Sequence, residues 1–153
     1  MLSNLEISHF ISKDCVLDLP PMDKWQLLDK MAELIGRNPN VKDPDSVKKA
    51  IIKREITMST GIGESVAIPH ARIADVDDFV IAFARIREGI EFEAIDGKPV
   101  NLVFMIVANE TQDKMYIKLL SKLMLRMKSS QLIEQLMAAS NTQELYQILV
   151  DTK

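Results

Sequence analysis

Two apolar stretches, FVIAFARI at residues 79–86 and VNLVFMIV at residues 100–107, decide the fold of this sequence. Each is almost continuously apolar, which is typical of strands that are buried on both faces of a central sheet. The residues Asp-Gly-Lys-Pro at 96–99 lie between the two stretches and form a turn signal. We therefore expect two core strands joined through this turn.

Amphipathic helices are predicted before these strands. The first covers residues 24–35, with Asp23 as its N-cap and Gly36 as its stop. A second begins at Asp43-Pro44, an N-cap followed by a proline at the first helical position, and extends to about Arg54. Two helices are thus predicted before the core strands.

Helical spacing returns after the second core strand. Apolar residues recur at this spacing over 119–137, and Asn141 with Glu144 forms a capping box that opens a final helix. Residues 56–68 are rich in Ser, Thr and Gly, which predicts a loop with short extended pieces. The order helix, strand, helix predicts one α/β domain over residues 1–153, with its sheet covered by helices.

The composition excludes several classes of protein. Of the 153 residues 47% are hydrophobic and 27% charged, the net charge is −3, and no dense basic run occurs, which argues against nucleic acid as a partner. The single cysteine, Cys15, rules out an intramolecular disulfide. Without a signal peptide or an apolar run of roughly 18 residues, we expect a cytoplasmic protein without membrane insertion. No cofactor or metal site is predicted.

His70 is the candidate functional residue, in the run GIGESVAIPHAR at residues 61–72. Gly61 and Gly63 allow backbone N–H groups to approach an anion closely. A neutral imidazole nitrogen is a good nucleophile near neutral pH, because histidine titrates at about pH 6.5. The run lacks the third glycine of a dinucleotide fingerprint and the lysine of a P-loop, so nucleotide binding is not expected.

Side chains suited to phosphate flank this run. The hydroxyls of Ser59 and Thr60 are possible donors, and Arg54 and Arg72 are possible charge partners. The second histidine, His9, has no such neighbours and is interpreted as a surface or packing residue. For His70, the residues alone leave two interpretations open. It either binds a phosphate or is, like His9, a packing residue.

Three segments of the chain resemble the active-site signature of the type-2 enzyme IIA domains of the bacterial phosphoenolpyruvate-dependent phosphotransferase system. The fructose/mannitol and nitrogen-regulatory proteins form this group. The signature segments are Arg54-Glu55, residues 59–63 and residues 66–70. Residues 92–100 resemble the family's turn into its next core strand, so the resemblance covers nearly the whole chain.

The resemblance implies a fold and a chemistry. The family fold is a single α/β domain with a mixed sheet between helices. His70 matches the histidine that receives phosphate, through a nitrogen, from the small carrier protein HPr. Arg54 matches an arginine near that phosphate, and Thr60 and Gly61 match the loop beside it.

Tyr116 departs from the family pattern. Family members usually carry a second histidine at this position, at the start of the helix after the second core strand. A tyrosine hydroxyl can donate a hydrogen bond to phosphate, but it cannot become cationic near neutral pH. We expect such a loss of charge to slow transfer by roughly 10–1,000-fold. In the alternative interpretation, Tyr116 only packs on the sheet.

The resemblance is closest to the nitrogen-regulatory members, whose C-terminal helix is similar to residues 143–149. We expect a protein that accepts phosphate from HPr on His70 and signals through its phosphorylation state to a regulated target protein. The lack of an attached transporter segment and the presence of Tyr116 favour this role. The alternatives are a fructose- or mannitol-class sugar IIA that passes phosphate to a IIB partner, and a domain that binds partners without phosphorylation.

Overall fold

The computed structural model describes residues 7–151, so residues 1–6, 152 and 153 of the predicted domain lie outside it. The described part holds five α-helices: α1 (Lys24–Gly36), α2 (Pro44–Thr57), α3 (Asp113–Arg126), α4 (Ser130–Ala138) and α5 (Thr142–Asp151). It also holds six strands: β1 (Val16–Leu19), β2 (Gly61–Gly63), β3 (Val66–Ala67), β4 (His70–Ile73), β5 (Val80–Ile90) and β6 (Val100–Asn109). Short 3-10 helices lie at Ile7–His9 and Lys13–Cys15.

The six strands form one mixed sheet, as expected. Its order is β1-β5-β6-β3-β2, and β4 also pairs with β6. The central strands β5 and β6 are antiparallel, whereas β1 is parallel to β5, and β3 and β4 are parallel to β6. β3 and β4 therefore follow one another along the same edge of β6. His70, the first residue of β4, lies at that edge.

The predicted core strands are confirmed, and each is longer than its apolar run. The residues of β5 from Val80 to Ile86 and those of β6 from Leu102 to Ala108 are all buried. Since successive side chains of a strand point to opposite faces, burial of every residue means that both faces of the sheet are covered. The turn between the strands is also confirmed, with the Gly97 N–H donating to the Ala94 carbonyl at 2.9 Å.

The predicted caps of the first two helices are confirmed. The Asp23 carboxylate accepts hydrogen bonds from the backbone N–H groups of Trp25 and Gln26. The Asp43 carboxylate accepts one from Asp45. Each carboxylate satisfies donors that the first turn of a helix leaves unpaired.

Gly36 has a different role from the predicted one. It is the last residue of α1 and not its stop signal, because Arg37 in right-handed helical geometry forms the C-cap. A Cβ atom at Gly36 would lie 2.9 Å from the Pro44 Cβ atom, so the absence of a side chain allows α1 and α2 to pack closely. α2 itself continues to Thr57, three residues beyond the predicted end.

Two four-residue strands, β1 and β4, lie outside the sequence prediction. Both pair in parallel with a central strand, and β4 places His70 opposite Ile106. The final helix follows its prediction, since the Asn141 side chain accepts from the Glu144 N–H at 2.9 Å. No helix within residues 7–151 is both long and apolar enough to cross a membrane.

Arg85 is fully buried in the middle of β5, inside a stretch that the pattern predicts to be apolar. Its guanidinium donates to both carboxylate oxygens of Asp18, at 3.1 and 2.7 Å. It also donates to the carbonyls of Leu136 and Ala139, at 2.8 and 2.5 Å. The hydrogen bond from Arg85 lowers the pKa of the Asp18 carboxyl below its usual value. This one side chain therefore joins β1, β5 and the end of α4.

Candidate functional site

His70 is the first residue of β4 and directly follows Pro69. The Pro69 carbonyl accepts from the Ile106 N–H of β6 at 2.9 Å, which fixes the backbone at this point to the centre of the sheet. The imidazole is half-buried, while the preceding residues 66–68 are fully buried. A rigid strand thus holds a side chain that still reaches the surface.

The hydrogen bond of the imidazole defines its tautomer. Nδ1 of His70 lies 2.7 Å from the Ile68 carbonyl oxygen. Because a carbonyl oxygen only accepts hydrogen bonds, Nδ1 carries the proton in the neutral ring. The lone pair is therefore on Nε2, which is the nucleophilic nitrogen.

A cleft of about 720 Å³ lies beside His70. Three of the other residues predicted for the site, Arg54, Arg72 and Tyr116, line it together with His70. The remaining lining residues are Ala50, Lys53, Thr57, Ala71 and Glu110. Three cationic side chains against one carboxylate favour an anionic ligand.

Tyr116 lies against His70. The centroids of the two rings are 5.9 Å apart, and only 8% of Tyr116 is exposed. The Arg72 guanidinium lies 5.6 Å from the centre of the Tyr116 ring and also pairs with the Asp113 carboxylate. Burial raises the pKa of the Tyr116 hydroxyl to about 12, so it stays protonated and is a donor at neutral pH.

The surroundings of His70 keep its ring neutral. Burial lowers the pKa of the imidazole below its usual 6.5, and the positive charge of Arg54 lowers it further. The hydrogen bond to Ile68 raises the pKa of the imidazole, and so does the negative charge of Glu55. Since the net shift is downward, His70 is mostly an uncharged nucleophile at neutral pH.

Ser59 and Thr60 do not line the cleft. The Ser59 hydroxyl donates to the Phe92 carbonyl at 2.8 Å. Thr60 is buried and donates to the Glu55 carboxylate through its backbone N–H and its hydroxyl, at 2.7 and 2.5 Å. Both side chains make contacts inside the protein, and their contact with a phosphate stays a prediction.

Gly61 and Gly63 also lie away from the cleft lining. A Cβ atom at Gly61 would lie 2.7 Å from the Cα atom of Ala94, so this position requires a residue without a side chain. The Gly61 N–H donates to the Ser59 hydroxyl oxygen at 3.2 Å. Gly63 has φ of +91°, which favours glycine. Packing and turn geometry account for both glycines.

A buried ion pair behind the site is the feature that the sequence interpretation missed. The Lys24 ammonium lies 3.0 Å from the Glu55 carboxylate, and both side chains are almost completely buried. Glu55 accepts from Thr60, the Thr60 carbonyl accepts from the Ile68 N–H, and the Ile68 carbonyl accepts from His70. A continuous set of hydrogen bonds therefore joins α1 to the imidazole.

A pattern in α2 could have revealed Glu55. It occupies the helical position four residues after Ile51 and eight after Val47, and all three are buried. A carboxylate on the apolar stripe of a helix requires a buried partner. The nearest cation on that helix, Arg54, instead donates to the Met58 carbonyl and lines the cleft.

No metal site accompanies this arrangement. Among residues 7–151 there is no group of three or more His, Cys, Asp or Glu side chains that could hold a metal ion. The titratable side chains that line the cleft are a neutral imidazole, a phenol, three cations and one carboxylate.

Comparison with known families identifies the family of the chain. The family described as "Phosphoenolpyruvate-dependent sugar phosphotransferase system, EIIA 2" matches residues 9–152. The chain belongs to this family. It is accordingly a phosphocarrier of the IIA type, and the resemblance found in the sequence is confirmed.

Relatives of known role fall into two groups. The chain is 33% identical to the fructose-specific EIIABC component of Bacillus subtilis over 95% of its own length, but it spans only 23% of that protein. It is 32% identical to the nitrogen regulatory protein of Escherichia coli over 99% of its own length and 93% of that protein. These relatives thus include both a fructose-specific component of a phosphotransferase system and a nitrogen regulatory protein.

Solved structures share the fold. The crystal structure of the nitrogen regulatory protein IIA-Ntr of Neisseria meningitidis matches with a TM-score of 0.86 and 33% identity, covering 94% of this chain and 98% of that one. The mannitol IIA protein of Escherichia coli matches with a TM-score of 0.76 and 22% identity, covering 90% and 97% of the two chains. At this lower identity the likeness supports the fold alone.

Removal of the Glu55 carboxylate should destabilise the protein. Glu55→Ala leaves the buried Lys24 ammonium without its anion, which should lower the free energy of unfolding by about 3–5 kcal/mol. Glu33→Ala is the matched control, because Glu33 forms an exposed ion pair with Arg37 and should cost under about 1 kcal/mol. Urea denaturation followed by circular dichroism measures both. Equal losses would contradict the role given to Glu55.

The pKa of His70 should lie below 6.5 and should rise when Arg54 is neutralised. Arg54→Gln removes a positive charge that disfavours the imidazolium form, so the pKa should move upward. Arg37→Gln, at an exposed site, should leave it unchanged. A nitrogen-15 NMR titration of the two histidines gives the values directly. A His70 pKa above 6.5 in the unaltered protein would refute this prediction.

Proposed function

We propose that His70 accepts a phosphoryl group on Nε2 from an HPr-like phosphocarrier protein. The Nε2 lone pair forms a bond to phosphorus while the bond from phosphorus to the donor's histidine nitrogen breaks, and its electron pair returns to that nitrogen. The observation that carries the proposal is the hydrogen bond between Nδ1 and Ile68, which leaves Nε2 as the free nucleophile beside a cationic cleft.

Arg54, Arg72 and Tyr116 are assigned to the phosphoryl group in transit. The two guanidinium groups offset its negative charge, and the Tyr116 hydroxyl supplies a hydrogen bond. Positioning and charge compensation are the main requirements of phosphoryl transfer. Arg72 also compensates in part for the cation that a histidine at position 116 would supply, because it lies over the Tyr116 ring.

The output of this transfer is proposed to be regulatory. Phosphorylation adds nearly two negative charges to the surface at the cleft, enough to reverse a contact with a target protein. Support comes from the nitrogen regulatory relatives, which this chain matches over most of their length. In this proposal residues 1–153 form one domain that acts in the cytoplasm.

A second candidate is transfer of the phosphoryl group to a IIB partner, as in a fructose- or mannitol-class sugar IIA. The identity to a fructose-specific component favours it. The two roles differ in the speed of onward transfer, and Tyr116 is the residue that separates them.

Phosphate acceptance is tested by incubating the protein with phosphoenolpyruvate, enzyme I and HPr. We expect an acid-labile mass gain of one phosphate, lost in His70→Ala. His9→Ala is the matched control, since His9 is the other histidine and is exposed, and it should be phosphorylated normally. No mass gain, or a gain that persists in His70→Ala, would overturn the proposal.

Onward transfer is tested with Tyr116→His and purified fructose- and mannitol-class IIB proteins. A histidine can become cationic, so transfer from the phosphorylated variant should be about 10-fold faster or more than from the unaltered protein. Tyr116→Phe, which lacks the hydroxyl, should be slower than both. Rapid transfer by the unaltered protein would favour the sugar role over the regulatory one.

A further inference from the structure

A groove along the exposed face of α2, bordered by α1 at one end only, exposes apolar side chains to solvent. It consists of two adjoining cavities of about 510 and 700 Å³, which share Lys48, Ile52 and Ile56 in their walls. Ile56 is 71% exposed, and Trp25 at the far end is 37% exposed. Exposed apolar side chains of this kind gain free energy when a partner covers them.

The charge along the groove is positive on a protein whose net charge is −3. Lys48 pairs with Asp29 at 2.6 Å, so these two charges cancel. Lys49 and Lys53, one turn apart on α2, then face the groove with Asp45 as the remaining carboxylate in its walls. A ligand with negative charges beside apolar groups complements this surface.

The groove is continuous with the His70 cleft. Lys53 and Thr57 belong to the walls of both. A segment that follows the groove from Trp25 therefore reaches the edge of the cleft without entering it. The groove itself contains none of the residues assigned to the phosphoryl group.

We propose that this groove binds an amphipathic helical segment of a partner protein, with carboxylates beside its apolar face. Its apolar residues would pack on Trp25, Ile52 and Ile56, and its carboxylates would face Lys49 and Lys53. A helix lying in a groove offers apolar groups three and four residues apart, which fits two cavities side by side. This contact requires no phosphoryl transfer and goes beyond the function proposed above.

Trp25 provides the measurement, because it is the single tryptophan of the chain. The probe is a synthetic helical peptide without tryptophan, with leucines on one face and flanking glutamates. Its titration should shift Trp25 fluorescence to shorter wavelength in a saturable way. A twin peptide with lysines in place of the glutamates should bind about 10-fold more weakly or worse.

Two pairs of variants locate the binding. Ile56→Ser and Lys49→Glu should each weaken binding of the glutamate peptide by about 10-fold. The matched controls are Leu125→Ser and Lys128→Glu, which change exposed residues outside the groove and should bind like the unaltered protein. All four variants should still accept phosphate on His70.

Several outcomes would overturn the proposal. These are the absence of a saturable change, equal binding of the two peptides, or full binding by Ile56→Ser. In the absence of peptide, Trp25 emission should not depend on protein concentration. Such a dependence would show that a second copy of the chain covers the groove, and it would also overturn the proposal. Failure of phosphate acceptance is read by mass, and so it is separate from each of these results.

Discussion

The buried carboxylate of Glu55 is the group on which the candidate site depends. It receives the Lys24 ammonium from α1 and two hydrogen bonds from Thr60, and it ends the apolar stripe of α2. Thr60 in turn holds Ile68, whose carbonyl orients the imidazole of His70. Because a charge in a low-dielectric interior requires its partners, the contacts of Glu55 fix the relative positions of two helices and the loop before β4.

The core strands and the helix starts were predictable, because local signals in the sequence specify them. The two core strands carry long apolar runs, and the helix starts carry side chains that bond to their own backbone, as Asp23 and Asp43 do. β1 and β4 carry no such signal, because four-residue strands form through pairing with distant partners. Arg85 shows the same limit, since the groups that neutralise it come from β1 and α4.

The sequence predicted those residues of the candidate site that line the cleft. Arg54 and Tyr116 are far in sequence from the neighbouring residues His70 and Arg72, yet all four line one cavity. Ser59 and Thr60 have the chemistry of phosphate ligands, yet their hydroxyls donate to groups inside the protein. The type of a side chain identifies what it could bind, but the direction in which the chain turns decides whether it faces the ligand.

The carbonyl of Ile68 has a consequence for the lifetime of a phosphorylated histidine. In the proposed phosphorylated state, with Nε2 bonded to phosphorus, the proton that Ile68 retains on Nδ1 leaves the ring cationic, because a hydrogen bond to the protonated form favours that form. A cationic ring departs as neutral imidazole, whereas a ring without that proton would have to depart as an anion. In that proposed state, one backbone oxygen thus makes the imidazole a good leaving group.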